Sequence, residues 1–270
     1  MKDKIVLITG STDGIGKQTA LELARLGATV LLHGRNAERG QKALAEVRKV
    51  TGSESLDYFA ADLSSLKQVR ALAAQVREKY DRLHVLVNNA GVYMQERRLT
   101  EDGLETTFAV NHLAHFLLTH LLLDLLKKSA PARIVNVSSG LHHSARVDLD
   151  DLQGEKRFSG FSAYCLSKLG NILFTYELAE RLAGTGVTVN ALHPGGIATK
   201  LLRAASGSSG ASLEEGAATP VYLASAPEVE NVTGEYFVRK RAAPSSPLTH
   251  DVKLRREFWA ISERLAGIKT

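Results

Sequence analysis

Short apolar runs alternate with longer amphipathic segments along most of this 270-residue sequence. The first run, Lys4–Thr9, ends at a glycine, and Ile15–Leu26 then carries apolar residues at helical spacing. Strands that are apolar throughout are buried on both faces, as in parallel sheets covered by helices on both sides. The alternation therefore predicts a doubly wound α/β fold, with a mostly parallel sheet and helices on both faces, in one domain over residues 1–270.

The same pattern assigns the remaining elements. Further strands are predicted at Thr29–His33, Leu56–Ala60, Val85–Val87, Arg133–Val137 and Val187–Leu192. Further helices are predicted at Ala37–Val50, Leu66–Tyr80, Leu104–Lys128, Ala163–Arg181, Leu213–Leu223 and Leu254–Leu265. An irregular insert at Leu141–Phe161 and a Gly- and Ser-rich stretch, Ala204–Ser212, do not fit the alternation. We interpret the stretch as part of a substrate lid over residues 197–215, with an idle surface loop as the alternative.

Charge and cysteine content exclude several classes of protein. The formal net charge is only +5, and the one dense basic run, Arg239–Arg241, favours solvated surface over a nucleic-acid interface. No stretch approaches the roughly 20 apolar residues of a membrane span, so none is predicted. The single cysteine, Cys165, excludes an intrachain disulfide and is consistent with a reducing compartment. We therefore predict a cytoplasmic location.

A glycine-rich turn follows the first strand. Gly10, Gly14 and Gly16 lie between that strand and the next helix, where glycine permits a tight turn and close approach of a pyrophosphate. The helix that follows offers free N–H groups to a phosphate. A plain strand–helix turn is the alternative, but strand, turn and helix all fall in the order that a dinucleotide site requires. The predicted cofactor contacts here are Gly10, Ser11, Thr12, Gly14, Ile15 and Gly16.

The end of the second strand bears on the choice of cofactor. A site selective for NAD carries an acidic residue there for the ribose hydroxyls, whereas this sequence has Arg35. The planar guanidinium suits a 2′-phosphate, and Lys17 adds a second positive charge nearby. The sequence therefore favours NADP(H) over NAD(H), unless Arg35 is an ordinary surface residue that starts a helix.

The third and fourth strands also end in candidate contacts. Asp62 and Leu63 follow the third strand, where they are placed to meet the adenine. Asn89, Ala90 and Gly91 follow the fourth, and such small residues allow a cofactor to approach the carboxyl ends of the strands.

A second constellation carries the chemistry of proton transfer. Tyr164 and Lys168 are four residues apart on a predicted helix and so share one face. An ammonium beside a phenol lowers the pKa of its hydroxyl, which makes the tyrosine a usable acid or base. Ser139, at the end of the fifth strand, is placed to hydrogen-bond a substrate carbonyl, although Ser138 is adjacent. Asn111 is placed to anchor a water that links Lys168 to solvent.

Taken in order, these motifs resemble a classical short-chain dehydrogenase/reductase, which has a Rossmann fold. The resemblance covers nearly the whole chain and includes His193-Pro194-Gly195. The stretches at 110–113, 151–156 and 163–168 are similar to the retinol-dehydrogenase-like branch. The resemblance implies that Pro194, Gly195, Ile197 and Thr199, together with Tyr164 and Lys168, contact the cofactor.

The resemblance also implies a reaction: NADPH delivers a hydride to a carbonyl carbon while Tyr164 protonates the oxygen. It assigns Ser139 to steadying that oxygen, Lys168 to the nicotinamide ribose and Asn111 to a proton relay. It implies a homodimer or homotetramer through the helices near residues 104–128 and 163–181. Members of this branch commonly carry an N-terminal membrane anchor, whereas this sequence enters its first predicted strand at Lys4.

Two alternative hypotheses for the function stay open, and several histidines also need an interpretation. An NADP(H)-binding regulator with little turnover is one alternative, and C=C reduction or epimerisation on the same fold is another. His112, His115 and His120 share one helix, but their spacing does not predict a metal site, and we interpret them as helix-surface or pocket residues. Tyr93, Met94 and Phe161 are candidates for lining a substrate pocket or for covering loops.

Overall fold

The computed structural model describes residues 1–199 and 210–268. Its first half follows a β–α alternation. The elements are β1 (Ile5–Ile8), α1 (Gly14–Arg25), β2 (Thr29–Gly34), α2 (Ala37–Thr51), β3 (Leu56–Ala60), α3 (Leu66–Lys79) and β4 (Val85–Asn88). Asp13, Asn36 and Ser65 cap the N-termini of the three helices with their side chains, which satisfies N–H groups that a helix cannot pair internally.

The second half continues with α4 (Thr106–Lys128), β5 (Ala132–Val137), α5 (Gly160–Arg181), β6 (Val187–His193), α6 (Leu213–Ser225), β7 (Glu235–Val238), β8 (Arg241–Ala242) and α7 (Val252–Leu265). Helix α4 contains a π-helical segment, Ala109–Leu113. Such a bulge is common at functional sites. The predicted insert begins with a short 3-10 helix, Gly140–Ser144.

All the strands of the described chain join one sheet, in the order β3-β2-β1-β4-β5-β6-β7-β8. Every neighbouring pair is parallel except β7 and β8. The order reverses between β1 and β4, which opens a crevice at the carboxyl ends of these strands. The prediction of a doubly wound, mostly parallel sheet is thus confirmed.

Two apolar layers hold the helices against the sheet. Helices α1, α2 and α6 pack on one face, and α3, α4 and α5 pack on the other. Helix α7 lies outside α4 and α5, where Phe258 and Trp259 are buried. We expected subunit contacts through α4 and α5, and α7 covers part of that surface.

The structure corrects the predicted boundaries in two main places. Helix α5 begins at Gly160 rather than at residue 163, because the Ser159 side chain caps it. Glycine is required at position 160, since a Cβ there would clash with Met94 O. Strands β7 and β8 lie in a segment that the sequence left unassigned. The lid prediction at 197–215 falls largely outside the described residues, and its described end includes the first turn of α6.

Helix α4 is long and apolar enough to span a membrane by length and composition. Of its most apolar window, 78% is buried inside the protein. This burial is what a core helix requires, because its apolar side chains pack against β4, β5 and the neighbouring helices.

Candidate active site

The glycine turn after β1 is closed against the end of β4. Gly10 and Gly14 have φ angles of +64° and +57°, which side chains disfavour. A Cβ on Gly10 would lie 2.9 Å from Ala90 Cα, and a Cβ on Gly16 would lie 2.5 Å from both Gly10 O and Asn89 Nδ2. The predicted contacts of the first and fourth strands therefore lie together, packed too closely for a side chain at Gly10 or Gly16.

A buried hydrogen-bond chain joins this turn to helix α4. Thr9 Oγ1 accepts from the main-chain N–H of Asn89 at 2.9 Å and of Ala90 at 3.0 Å. His115 Nε2 lies 3.0 Å from Thr9 Oγ1, and His115 Nδ1 lies 3.1 Å from Asn111 O. The carbonyl can only accept, so Nδ1 carries the proton and Thr9 donates to Nε2. Burial lowers the pKa of His115 to about 3, which keeps the ring neutral.

Three other predicted contacts of the turn have structural partners. Ser11 Oγ donates to Ile8 O at 2.8 Å and accepts from the N–H of His33 at 2.9 Å. A Cβ on Gly34 would lie 2.6 Å from Thr12 Cγ2, so Thr12 packs against the end of β2. Ile15 faces Gly216 on α6. The hydroxyl of Ser11 is thus engaged in holding the turn to the sheet.

Arg35 lies directly after β2 with an exposed side chain, and it has no ion pair within the described chain. Its position is fixed by Tyr58, whose hydroxyl lies 2.7 Å from Gly34 O and 2.9 Å from Asn36 O. Lys17 differs from expectation, because its ammonium pairs with Glu46 of α2 at 2.8 Å. Of these two cations, Arg35 is therefore the one without an ion pair in the part of the chain that the structure describes.

Asp62 and Leu63, the two predicted contacts after β3, differ in their surroundings. Leu63 is 5% exposed and belongs to the core beneath α3. The carboxylate of Asp62 accepts from the N–H and the hydroxyl of Ser64 at 2.9 and 2.8 Å. The side chain of Leu63 is thus part of the core, and the contact of this residue with an adenine stays a prediction.

Ser139, Tyr164 and Lys168 come together beyond the end of β5. The Ser139 side chain faces the Tyr164 hydroxyl, and Ser139 Oγ accepts from the N–H of Leu141 at 3.2 Å. Lys168 Nζ lies 5.6 Å from the centroid of the Tyr164 ring and donates to Val137 O at 3.0 Å. Ser138 is turned away, since its hydroxyl donates to Lys168 O at 2.7 Å. The ambiguity between the two serines is thereby resolved geometrically.

Burial is the largest influence on the pKa values of Tyr164 and Lys168. It raises the pKa of Tyr164 to about 12, although the nearby Ser139 side chain acts in the opposite direction. It also lowers the pKa of Lys168 to about 8. We expected the ammonium to lower the pKa of Tyr164. The net direction is upward because Tyr164 is almost fully buried and Lys168 Nζ is bonded to Val137 O rather than to the phenol.

Asn111 lies in the π-helical segment of α4 and is fully buried. Its amide exchanges hydrogen bonds with the main chain of Val92, accepting at 2.7 Å and donating at 3.0 Å. The same amide nitrogen lies 3.0 Å from Ser167 Oγ. Asn111 therefore ties the loop after β4 to helix α5, one residue before Lys168.

Four predicted contacts follow β6. Gly195 has a φ of +97°, and Thr199 lies beside Gly14, where a Cβ would be 3.5 Å from Thr199 Cγ2. Ile197 is buried and pairs with Ala211. These residues, with Pro194, border the glycine turn on the side of α6.

Three histidines are buried in the structure to an extent that the sequence does not predict. His112 and His115 are 0% and 1% exposed, so neither lies on a helix surface. His142 is also fully buried and contacts Ser139 O at 2.7 Å through Nδ1. The signals of this burial in the sequence are the apolar helix on which His112 and His115 lie and the position of His142 close to Ser139. Among the described residues, no group of histidine, cysteine and acidic side chains is arranged to hold a metal ion.

Comparison with known proteins places this geometry in a family. The sequence matches the short chain dehydrogenase family over residues 4–210. Human retinol dehydrogenase 12 is 44% identical over 275 residues, covering 98% of this chain and 87% of that protein. Human retinol dehydrogenase 13 is 45% identical over 282 residues, covering 98% and 85%.

Solved structures agree. A protein from Mycobacterium paratuberculosis superposes with a TM-score of 0.83 at 33% identity, covering 98% of this chain and 94% of that one. A short chain dehydrogenase from Escherichia coli CFT073, complexed with NADPH, has a TM-score of 0.72 at 28% identity, covering 89% and 98%. The fold, the motifs and these relatives agree, and the chain belongs to the short-chain dehydrogenase family of oxidoreductases, in its retinol-dehydrogenase-like branch.

Proposed function

We propose that this protein is an NADP(H)-dependent oxidoreductase that interconverts an alcohol and a carbonyl group. The observation on which the proposal depends is the cluster of Ser139, Tyr164 and Lys168, in which a buried phenol, a hydroxyl and an ammonium face one another beside the glycine turn. These are the groups that acid–base work on a carbonyl oxygen requires.

The chain's own residues fit a dinucleotide. The surface formed by Gly10, Gly14 and Gly16 has no room for a Cβ at two positions, and main chain can approach a pyrophosphate there. We assign the remaining contacts to the ends of the strands, with Lys168 at the nicotinamide ribose. The bound cofactor supplies a hydride acceptor or donor.

Each residue of the cluster has a separate task in this proposal. With its pKa raised to about 12, Tyr164 is protonated at neutral pH and can give that proton to a carbonyl oxygen. Ser139, whose Oγ already accepts from Leu141, keeps its own proton for a hydrogen bond to the same oxygen. Lys168 has a pKa of about 8 and carries a positive charge at neutral pH, which favours the phenolate that remains. Asn111 holds the helix and loop that frame the cluster.

The preference for NADP(H) follows from Arg35. Its guanidinium is exposed, is not paired within the described chain and is anchored at its backbone by Tyr58. A charge-assisted bond to a 2′-phosphate is the contact that such a group makes best. The NADPH complex of the E. coli relative supports the same choice.

We propose a small, apolar carbonyl or alcohol as the substrate. Tyr93 packs against Tyr164 with the two rings tilted, at 5.7 Å between ring centroids, and Leu141 and Phe161 are large apolar side chains left 37% and 46% exposed beside the cluster. Retinol, named in the human relatives, belongs to this class. A cytoplasmic location and a homo-oligomeric state stay predictions.

Replacing Tyr164 tests the reaction. The purified protein is assayed for oxidation of NADPH and NADH with a panel of aldehydes and ketones, retinal included. We expect Tyr164→Phe to lower kcat by about 10²–10⁴-fold, the usual contribution of a general acid, while NADPH still binds. Tyr222→Phe, on α6, is the matched control and keeps full activity. NADPH binding without turnover in the wild type would instead favour the regulator, and loss of a C=C bond in the product would favour the other reaction.

Replacing Arg35 tests the cofactor preference. We expect Arg35→Asp to raise KM for NADPH by about 10- to 100-fold and to leave KM for NADH unchanged or lower, since a charged hydrogen bond contributes about 1.5–3 kcal/mol. Lys49→Asp makes the same charge change at the far end of α2 and changes neither value. Equal effects of Arg35→Asp on both cofactors would contradict the assignment.

A further inference from the structure

His142 is a buried imidazole with a main-chain partner at each nitrogen. Nδ1 lies 2.7 Å from Ser139 O, and Nε2 lies 3.0 Å from the main-chain nitrogen of Ser246. The two partners are 107 positions apart in sequence. His142 thus connects the end of β5 to the segment between β8 and α7.

The chemistry of the partners fixes the state of the ring. A main-chain N–H can only donate, so Nε2 accepts from Ser246 and carries no proton. A carbonyl can only accept, so Nδ1 carries the proton and donates to Ser139 O. Burial lowers the pKa of His142 to about 4, which is consistent with a neutral ring. The ring therefore has one tautomer and one orientation.

This ring acts on the residue that contacts Tyr164. Ser139 O accepts twice from His142, from its main-chain nitrogen at 3.1 Å and from Nδ1 at 2.7 Å. Ser139 is the N-cap of the 3-10 helix, with φ −157° and ψ 152°. Holding the carbonyl fixes the peptide plane after Ser139, and with it the direction of the Cα–Cβ bond that carries Oγ.

The far end of the link is itself held firmly. Ser246 O accepts from the N–H and the hydroxyl of Thr249, at 2.9 and 2.6 Å. Next to it, Ser245 Oγ lies 2.8 Å from the hydroxyl of Tyr176 on α5. The ring of Tyr236 on β7 packs edge-on against His142, at 4.9 Å between centroids. A partner this well fixed can hold the imidazole in place.

We propose that His142 is a positioning residue that orients Ser139 by tying its carbonyl to the main chain of Ser246. The proposal rests on the proposed role of Ser139 in turnover. It makes the segment 243–250, which contributes no residue to the cluster, a determinant of the rate of the reaction.

Two substitutions of equal shape test the link at Nδ1. His142→Asn keeps an amide N–H at the position of Nδ1, whereas His142→Leu puts a methyl group there. We expect His142→Leu to lower kcat by about 10- to 100-fold, the usual cost of a small misplacement, with KM for NADPH unchanged. His142→Asn recovers only part of the loss, because it restores the donor to Ser139 O but not the acceptor for the N–H of Ser246. His120→Leu is the control, because His120 Nδ1 also bonds a main-chain oxygen, that of Phe116 at 2.8 Å, away from the site.

A second pair tests the link at Nε2 without touching the histidine. Ser246 has a φ of −55° and precedes Pro247, so its backbone is compatible with the ring of a proline. Ser246→Pro removes the N–H that His142 accepts, and Ser246→Ala keeps it. We expect Ser246→Pro to lower kcat and Ser246→Ala to leave it unchanged.

The outcomes separate this inference from the proposed function. A wild type without turnover, or a fully active Tyr164→Phe, overturns the proposed function. An active wild type in which His142→Leu or Ser246→Pro retains full kcat overturns the inference alone. An equal loss of kcat in His142→Asn and His142→Leu also overturns it, because the donor would then not matter. If His142→Leu fails to fold, the Ser246 pair decides.

Discussion

Helix α5 takes part in two clusters of buried polar groups, only one of which can meet a substrate. The site cluster is Ser139, Tyr164 and Lys168. The interior cluster is His112 of α4, Asn171 of α5 and Ser262 of α7, in which His112 Nε2 lies 2.8 Å from Ser262 Oγ. Each cluster shifts pKa values by burial, Lys168 to about 8 in the first and His112 to about 3 in the second.

The clusters differ in their neighbours. The rings of Phe108, Phe116, Phe174 and Phe258 enclose His112 at 5.1–6.3 Å between centroids. The site cluster lies instead beside the glycine turn, at the edge of the sheet where α/β proteins bind ligands. A shifted pKa therefore identifies a buried group, and its place in the topology identifies a functional one.

Trp259→Ala should have the largest effect on stability and removes an aromatic wall of the interior cluster. Trp259 is 4% exposed, packs 4.9 Å from Phe116 and carries the guanidinium of Arg181 4.1 Å above its ring. We expect a loss of about 3–5 kcal/mol in the free energy of unfolding, measured with urea, and an unchanged kcat for the folded fraction. A lower kcat under conditions where the variant is fully folded would contradict the conclusion that the interior cluster does not serve the site.

Lys168→Met should separate function from stability in the site cluster. The folded pKa of Lys168, about 8, is below its usual 10.5, so the buried charge destabilises the fold below pH 8. The wild type therefore gains stability as pH rises from 8 to 10.5. We expect the variant to lose turnover and to lack this gain. At pH 7 the free energy of unfolding of the variant should exceed that of the wild type by on the order of 2 kcal/mol, once the lost hydrogen bond to Val137 O is subtracted. A wild type whose stability does not rise between pH 8 and pH 10.5 would contradict this prediction.

His112→Leu should have the smallest effect and concerns acid stability. The folded pKa of His112 lies far below its usual 6.5, so the unfolded chain binds the extra proton and stability falls as pH drops from 6.5 towards 3. The variant should lose less stability over this interval, measured by urea unfolding at pH 7 and pH 5, with kcat unchanged. His33, His115 and His142 have lowered pKa values too, so part of the acid sensitivity remains. Equal slopes for the variant and the wild type would refute the assignment.

The predictability of the fold differs between the two halves of the sheet. The strands from β1 to β6 are apolar runs that stand between predicted helices, so the alternation identifies them. Strand β7 has four residues, as β1 and β4 have, but it starts at the exposed Glu235, and β8 has only two residues. The turn that joins them places Arg239 and Lys240 at φ +50° and +63° without a glycine, so the usual signal of a hairpin is missing.

The site was predictable where its residues follow a local rule. Spacing along a helix brought Tyr164 to Lys168, and strand ends gathered the glycine turn and Asn89. The direction of the Tyr164 pKa was not predictable, because it depends on how much of the ring the folded chain buries. Ser11, Lys17 and His142 each have one partner in a distant segment, namely His33, Glu46 and Ser246, which no local pattern can reveal.

The position of α7 has a consequence for synthesis on the ribosome. Residues 252–265 leave the exit tunnel after every segment that they cover, and Trp259 packs on aromatic rings made more than 80 positions earlier. Strands β1–β3, with α1 and α2, contact one another and can associate while translation continues. The nascent chain therefore exposes the apolar flank of α4 and α5 until α7 emerges.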